Sequence, residues 1–350
     1  MKNLYQQLNL NILFKSSYST VTSPLERDKS SPCDKNLAET SNLITNLKDK
    51  ALSPWFITGF TDAEGCFYVG IIKSSKALCS SLAASHKWEI QLSFKIELHI
   101  KDLELLKSIQ KFFNVGNIKI SKGRSATYYV NSLKDIQVII KHFEQYPLLS
   151  KKYGDFALFK DVVLLMTNKE HLTEKGLLNI VSIRASLNRG LSDQLINSFP
   201  GIIPAIKPAV SSISIKDPQW LAGFVTGEGC FMVSTYKSKT NTGVGVSLRF
   251  KVAQHDRDLD LLKSLITYFD CGFMEKSGES VQIFRVSKFE NLVLKIIPFF
   301  EKYPILGSKA LDFSDFKLVA DLIKEKAHLK KSGDGLAKIL AIKSQMNRWR

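Results

Sequence analysis

Two stretches of the chain are apolar with no polar face. One runs from Pro54 to about Ala63 (PWFITGFTDA) and the other from Pro218 to Gly227 (PQWLAGFVTG). A helix that is apolar on every side has to be buried, and proline at the start with glycine just past the end (Gly65, Gly229) is helix punctuation. Residues 88–98 (WEIQLSFKIEL) alternate instead. Ile90, Leu92, Phe94, Ile96 and Leu98 fall on one face, and Glu89, Gln91, Ser93, Lys95 and Glu97 on the other, which predicts a strand with one buried and one wet side. Residues 116–132 and 272–287 read as hairpins turning at Ser-Lys-Gly and Lys-Ser-Gly. DLELLKSIQKFF and DLDLLKSLITYF are amphipathic helices, and each opens on an aspartate, Asp102 or Asp258, that reads as its N-cap.

These elements occur twice in the same order. PWFITGFTDAEGCFYV (54–69) matches PQWLAGFVTGEGCFMV (218–233), an offset of 218 − 54 = 164. KIELHIKDLELLKSI (95–109) matches KVAQHDRDLDLLKSL (251–265), and FEQYPLL (143–149) matches FEKYPIL (300–306). EHL at 170–172 pairs with AHL at 327–329, and SLN at 186–188 with QMN at 345–347. The order is kept while the offset drifts by a few residues, so the chain is a tandem duplication. The expected organisation is an extension over 1–50, a first unit over 51–191, a linker over 192–217 and a second unit over 218–350. Each unit has the coarse order α-β-β-α-β-β-α-α, an α+β fold with antiparallel sheets. The linker's prolines and serines predict an extended connector.

Composition narrows the partners. The chain of 350 residues is 44% hydrophobic and 23% charged, enough to bury a core without staples. Lys and Arg number 49 against 33 Asp and Glu, a net charge of +16, which favours a polyanionic partner. Five scattered cysteines (Cys33, Cys66, Cys79, Cys230, Cys271) form no C-x-x-C pair and imply a reducing compartment without a zinc site. No apolar run is long enough to span a bilayer, so no membrane partner is expected. Met1 to Pro24 carries no acid, as in a mitochondrial transit peptide, but lacks the usual arginines. The other reading is an unstructured lead-in left from an upstream reading frame.

The chemistry sits where each apolar helix ends in glutamate before glycine: ITGFTDAEG (57–65) and LAGFVTGEG (221–229). Small residues at Thr58, Gly59, Ala222 and Gly223 would let two such helices touch backbone to backbone, with Gly59 and Gly223 at the contact. That pairing would bring Glu64 and Glu228 together at one end. Clustered carboxylates repel, and a divalent cation such as magnesium, which takes one or two carboxylates plus waters and substrate phosphates, would neutralise them. Glutamate at a helix C-terminus opposes the macrodipole, so choosing it twice argues for function over stability.

These two segments resemble the signature of the LAGLIDADG homing endonucleases, in their single-chain, two-repeat branch. The EH-L, YP-L and D-x-x-LLK-S segments resemble the fungal mitochondrial intron-encoded members. The resemblance covers roughly residues 51–350. It implies two αββαββα halves forming a pseudo-twofold saddle of antiparallel sheets over DNA, with the signature helices at the interface. It implies a monomer that cuts both strands of a long double-stranded target with Mg2+ or another divalent metal, leaving short 3′ overhangs, and it implies a mitochondrial location. By position Glu64 and Glu228 are the metal-binding acids, with Ala63 and Gly227 just before them also in the metal set. A basic residue on the last strand of each sheet often accompanies the metals. Those positions hold Tyr129 and Arg285, with Lys95 and Lys251 as alternatives. Gln254, facing Leu98 of the other repeat, could hold a water.

DNA contacts are expected from outward strand positions, since a two-stranded ribbon fits the major groove. In the first repeat these are Cys66, Tyr68, Gly70, Ile72, Ser74 and Lys76 on the first strand, then Gln91, Lys95, Lys119, Arg124 and Tyr129. In the second they are Cys230, Met232, Ser234, Tyr236, Ser238 and Thr240, then Arg249 and Lys251. The bland alternative for each is a solvated face or a phosphate contact that positions without specifying. Asp62, the signature's sixth position, is Thr226 in the second copy and reads as a helix-end cap. His99, His255, His171 and His328 are expected to hydrogen-bond at helix starts or turns rather than bind metal. Cys66 and Cys230 have no paired base and are not read as nucleophiles. The alternative function is an intron-splicing maturase acting on its own intron RNA. A regulator without chemistry would not need both glutamates.

Overall fold

The computed structural model describes residues 51–74, 88–210, 213–330 and 332–347. The transit-peptide reading of the N-terminus and the expectation for Lys76 lie outside those residues. In the first repeat the order is α1 (Pro54–Glu64), β1 (Gly65–Lys73), β2 (Trp88–His99), α2 (Leu103–Phe113), β3 (Asn117–Ser121), β4 (Ser125–Val130), α3 (Leu133–Gln145), α4 (Lys152–Thr167) and α5 (Glu174–Ser186). A short helix, α6 (Asp193–Ser198), opens the connector, where the prolines and serines predicted only extended chain. The second repeat has α7 (Pro218–Glu228), β5 (Gly229–Lys237), β6 (Val244–His255), α8 (Leu259–Phe269), β7 (Phe273–Ser277) and β8 (Val281–Val286). It then continues through α9 (Phe289–Asn291), a π-helical stretch (Leu292–Ile296) and α10 (Ile297–Lys302). Pro298 supplies no N–H to the ladder there, and the helix widens just before it. α11 (Ser308–Lys324) and α12 (Asp334–Gln345) complete the chain. After its last strand the first repeat thus has α3, α4 and α5, one helix more than the hydrophobic pattern resolves, and in the second repeat α9, the π-helical stretch and α10 together take the place of α3.

Both sheets are antiparallel and four-stranded, ordered β1-β2-β4-β3 and β5-β6-β8-β7. Their registers are equivalent: Cys66 pairs with Lys95 and Lys95 with Tyr129, as Cys230 pairs with Lys251 and Lys251 with Arg285. One face of each sheet packs on helices through a repeated aromatic cage. The Phe67 ring lies 5.3 Å from Phe94, 5.6 Å from Phe143 and 5.5 Å from both Phe156 and Phe159. The Phe231 ring lies 5.2 Å from Phe250, 5.7 Å from Phe300, 5.1 Å from Phe313 and 5.4 Å from Phe316. Rings at such spacing gain from edge-to-face contact beyond the area they bury. The alternation expected for β2 holds at Leu92, Phe94 and Ile96, but Ser93 is buried too, donating to Asn131 Oδ1 at 2.5 Å. Gly70, expected outward, is also buried, with the Tyr68 ring folded over it.

The two repeats meet along α1 and α7. Residues Phe56 to Asp62 of α1 are all buried, as are Trp220 to Thr226 of α7. A Cβ on Gly59 would lie 1.8 Å from the Trp220 carbonyl oxygen, and one on Gly223 2.1 Å from that of Phe56. Backbone touches backbone, and only glycine fits at either position. Gly65 and Gly229 close the helices for a related reason. Their φ angles are −73° and −71°, so no left-handed turn is involved, but a Cβ would strike Thr61 or Val225.

Candidate active site

The close crossing of α1 and α7 sets their C-terminal ends side by side. A Cβ on Gly227 would meet Ala63 Cβ at 2.3 Å and Glu64 Cγ at 3.1 Å, so Glu64 lies against the last turn of α7. Glu64 and Glu228 each keep a strip of surface open while dense protein surrounds the rest. Burial pushes both carboxyls up, and the Glu64 charge pushes Glu228 further. Lys309 and Lys152 pull them back, and Gln254 adds a hydrogen bond to Glu228. Gln254 is therefore at the site as the repeat alignment suggested, and Leu98 at the equivalent place makes the two centres unequal.

The cations that touch the ends of the two signature helices were not among the sequence candidates. Arg285 stands 2.8 Å from Glu275 Oε2 and over the Phe273 ring at 4.7 Å. Lys95 covers the Tyr68 ring at 4.5 Å. The ammonium groups at the helix ends belong to Lys152 and Lys309, from the first turns of α4 and α11. Lys152 Nζ donates to Thr61 O at 2.9 Å and Ala63 O at 3.2 Å. Lys309 Nζ donates to Val225 O at 3.3 Å and to Gly227 O. A cation on the last carbonyls of a helix complements its dipole, which offsets the placement of Glu64 and Glu228. Burial pulls the Lys309 ammonium below its ordinary range, while Glu64 and Glu228 hold it up. The signal for both lysines was in the sequence: YPLLSKK and YPILGSK continue the YP-L match by three residues.

The repeated accessory motifs have structural roles around this centre. Asp62 is no helix-end cap. It accepts from Leu149 N at 2.9 Å, Ser150 N at 3.0 Å, Ser150 Oγ at 2.5 Å and Trp220 Nε1 at 2.8 Å, tying the YP-L loop and α7 to α1. Thr226 does the same work with one hydroxyl, accepting from Leu306 N at 3.3 Å. The terminal asparagines fasten the first strands: Asn188 Nδ2 donates to Phe67 O at 3.0 Å and Asn347 Nδ2 to Phe231 O at 3.2 Å. Their side-chain oxygens lie 3.8 and 3.7 Å from the Cys66 and Cys230 thiols, whose pKa burial raises. Both thiols thus hold strand ends. His99 and His255 accept from Lys101 N and Arg257 N at helix starts. His171 and His328 sit in the short turns at Glu170–Leu172 and Ala327–Leu329, but their buried Nδ1 atoms have no hydrogen-bond partner, which corrects the expectation for these two.

Outward strand positions divide by exposure. Ile72, Gln91, Lys119, Arg124 and Tyr236 are exposed, whereas Tyr68, Ser74, Tyr129, Met232, Ser234, Ser238, Arg249 and Lys251 are half-buried. Among the described residues no three His, Cys, Asp or Glu side chains gather into a closed cage for a metal, and no helix is long and apolar enough to cross a membrane. Two carboxylates side by side suit a hard divalent cation that keeps waters and takes substrate oxygens.

The fold matches a known family. A model described as LAGLIDADG endonuclease matches residues 57–163 and 221–320, once per repeat, and the chain belongs to that family of divalent-metal-dependent nucleases. More particularly, several of its relatives are described as probable intron-encoded endonucleases. "Probable intron-encoded endonuclease 2" of Neurospora crassa is 40% identical over 309 residues, 84% of this chain and 65% of that protein. "Probable intron-encoded endonuclease 3" of the same fungus is 35% identical over 286 residues, 81% of this chain and 52% of that protein. "Uncharacterized mitochondrial protein RF1" of Saccharomyces cerevisiae is 24% identical over 230 residues, 65% of this chain and 40% of that protein. The chain therefore spans between 40% and 65% of the length of these relatives. Among solved structures, the I-SmaMI LAGLIDADG homing endonuclease bound to cleaved DNA superposes with a TM-score of 0.81 at 40% identity, covering 85% of this chain and 98% of that one. The same nuclease bound to uncleaved DNA with calcium ions gives a TM-score of 0.80.

Proposed function

We propose that this protein is a single-chain homing endonuclease that binds one long double-stranded DNA site and hydrolyses a phosphodiester in each strand. The observation that carries the reading is the juxtaposition of Glu64 and Glu228 at the adjoining ends of two helices that touch backbone to backbone. Glu64 and Glu228 would hold the divalent metal, magnesium in the cell. When bound, the metal supplies a Lewis acid for the phosphate and a lowered pKa for water. Gln254 orients the Glu228 carboxylate, and Lys152 and Lys309 hold the carbonyls beside both glutamates while compensating their charge. A net charge of +16 draws the duplex in. Lys119, Arg124 and Tyr236 stand where the exposed sheet faces would lie on it, with Lys95, Arg249, Lys251 and Arg285 nearer the scissile phosphates. Both repeats lie on one chain, so one monomer takes one duplex. The intron-encoded relatives and the mitochondrial protein among them support a mitochondrial location.

A supercoiled plasmid carrying a site selected from a random library tests this. Wild type should linearise it in magnesium, and calcium should support binding without cutting. Glu64→Gln and Glu228→Gln should bind the site at least as tightly, since a carboxylate facing phosphates is gone, yet make no double-strand breaks. Affinity should fall steeply with salt. Full linearisation by either variant refutes the assignment.

A further inference from the structure

Asp102 and Asp258 open α2 and α8 at matched positions of the repeat, where the sequence predicts that each caps its own helix. Neither side chain does so. Both reach into the other repeat. Asp258 Oδ1 accepts from Lys151 N at 2.7 Å, at the start of α4. Asp102 Oδ1 accepts from Ser308 N at 2.5 Å and its Oδ2 from Ser308 Oγ at 3.0 Å, at the start of α11. Lys151 and Ser308 are equivalent residues at the offset of 308 − 151 = 157 that also relates the YP-L motifs. The next residue in each case is the lysine that reaches a signature helix: Lys152 to Thr61 O and Ala63 O, and Lys309 to Val225 O and Gly227 O. Gly307 fits the same geometry. Its φ is +67°, and a Cβ there would lie 2.6 Å from Asp102 Oδ1.

We propose that Asp102 and Asp258 are positioning residues that act across the pseudo-twofold, each holding the helix start in the opposite repeat from which a lysine reaches the last carbonyls of that repeat's signature helix. A carboxylate at a helix N-terminus satisfies a free N–H and complements the dipole, so it fixes the first turn of the helix and with it the lysine. The Asp258 side chain thereby fixes the lysine on the end of α1, and the Asp102 side chain the lysine on the end of α7. Each centre is built by both repeats, and docking of the repeats and assembly of the two centres are a single event. Neither repeat alone carries a complete centre.

The inference rests on the endonuclease reading, and two readouts on the full chain keep the two separable. The first is metal-free amide hydrogen exchange. Asp258→Ala should raise exchange at the start of α4 and leave α11 unchanged, and Asp102→Ala should do the reverse. The second is strand-resolved cleavage of an end-labelled duplex carrying the selected site. Each alanine variant should slow one strand roughly tenfold more than the other, and the two variants should favour opposite strands, a loss of the size one cap produces. Asp258→Asn and Asp102→Asn should recover most of both losses, because an amide oxygen accepts the same N–H. A contact with only a structural role would slow both strands equally, and that result overturns the proposal, as does unchanged exchange at the opposite helix start. A wild type that cuts no DNA would refute the endonuclease reading, while the exchange experiment would still decide the cross-repeat caps.

Discussion

Replacing Asp62 by asparagine keeps the shape of the side chain and turns one of its two acceptor oxygens into a donor. Four donors converge on that carboxylate: Leu149 N and Trp220 Nε1 on Oδ2, Ser150 N and Ser150 Oγ on Oδ1. Burial pushes the Asp62 carboxyl up, and these hydrogen bonds pull it back. In Asp62→Asn the least costly orientation puts Nδ2 on the Ser150 side, where the hydroxyl can turn to accept. The Ser150 N–H is still stranded, at a cost of about 1–3 kcal/mol, and the two bonds left on the oxygen fall from charge-assisted to neutral strength, about 1 kcal/mol each. Relief of the buried charge returns part of this, so the net loss should be about 2–4 kcal/mol. Urea unfolding followed by fluorescence would read it as a lower midpoint at unchanged slope. A double-mutant cycle with Trp220→Phe should show coupling, because both changes act on Oδ2. A loss within about 0.5 kcal/mol of zero, the range of ordinary surface substitutions, would refute the reasoning.

Two further outcomes follow from packing and burial. Gly223→Ala places a methyl against the Phe56 carbonyl, and rigid backbone cannot yield as a side chain would; it should cost about 3 kcal/mol, the upper end for overpacking, and an unchanged Tm would mean the helices do not meet as described. His142 is buried on α3 with Thr58 Oγ1 at 3.2 Å, and burial pulls its pKa from 6.5 down to about 4. The unfolded chain therefore binds a proton that the folded one refuses. Stability is full above pH 6.5 and falls as pH drops toward 4, by up to about 3 kcal/mol. His142→Gln should flatten that slope in urea midpoints taken across the window, and an identical slope in both proteins would count against the assignment.

The sequence by itself carried the duplication, the helix–sheet alternation within each repeat, the buried helices and the two glutamates. These are local or repeated patterns: a run of apolar residues must be buried whatever it meets, and a motif copied at matched offsets marks matched positions. Gly59 and Gly223 were legible because a missing side chain in an apolar helix is itself a packing signal. The pairing of partners was not legible. Asp102 and Asp258 sit where an aspartate caps its own helix, and no rule of spacing tells that their carboxylates turn to the other repeat. Lys152 and Lys309 continue the repeated YP-L match, but nothing local tells that they reach the ends of α1 and α7. Asp62, with Thr226 at its place in the second copy, reads from the sequence as a helix-end cap. In the structure Asp62 answers Trp220 of the opposite helix, whereas the position matching Trp220 in the first repeat is Phe56, which offers no donor for Thr226 to accept. Which charge meets which is fixed by how two repeats dock, through contacts more than a hundred residues apart along the chain in most of these cases, and only the tertiary structure contains that geometry.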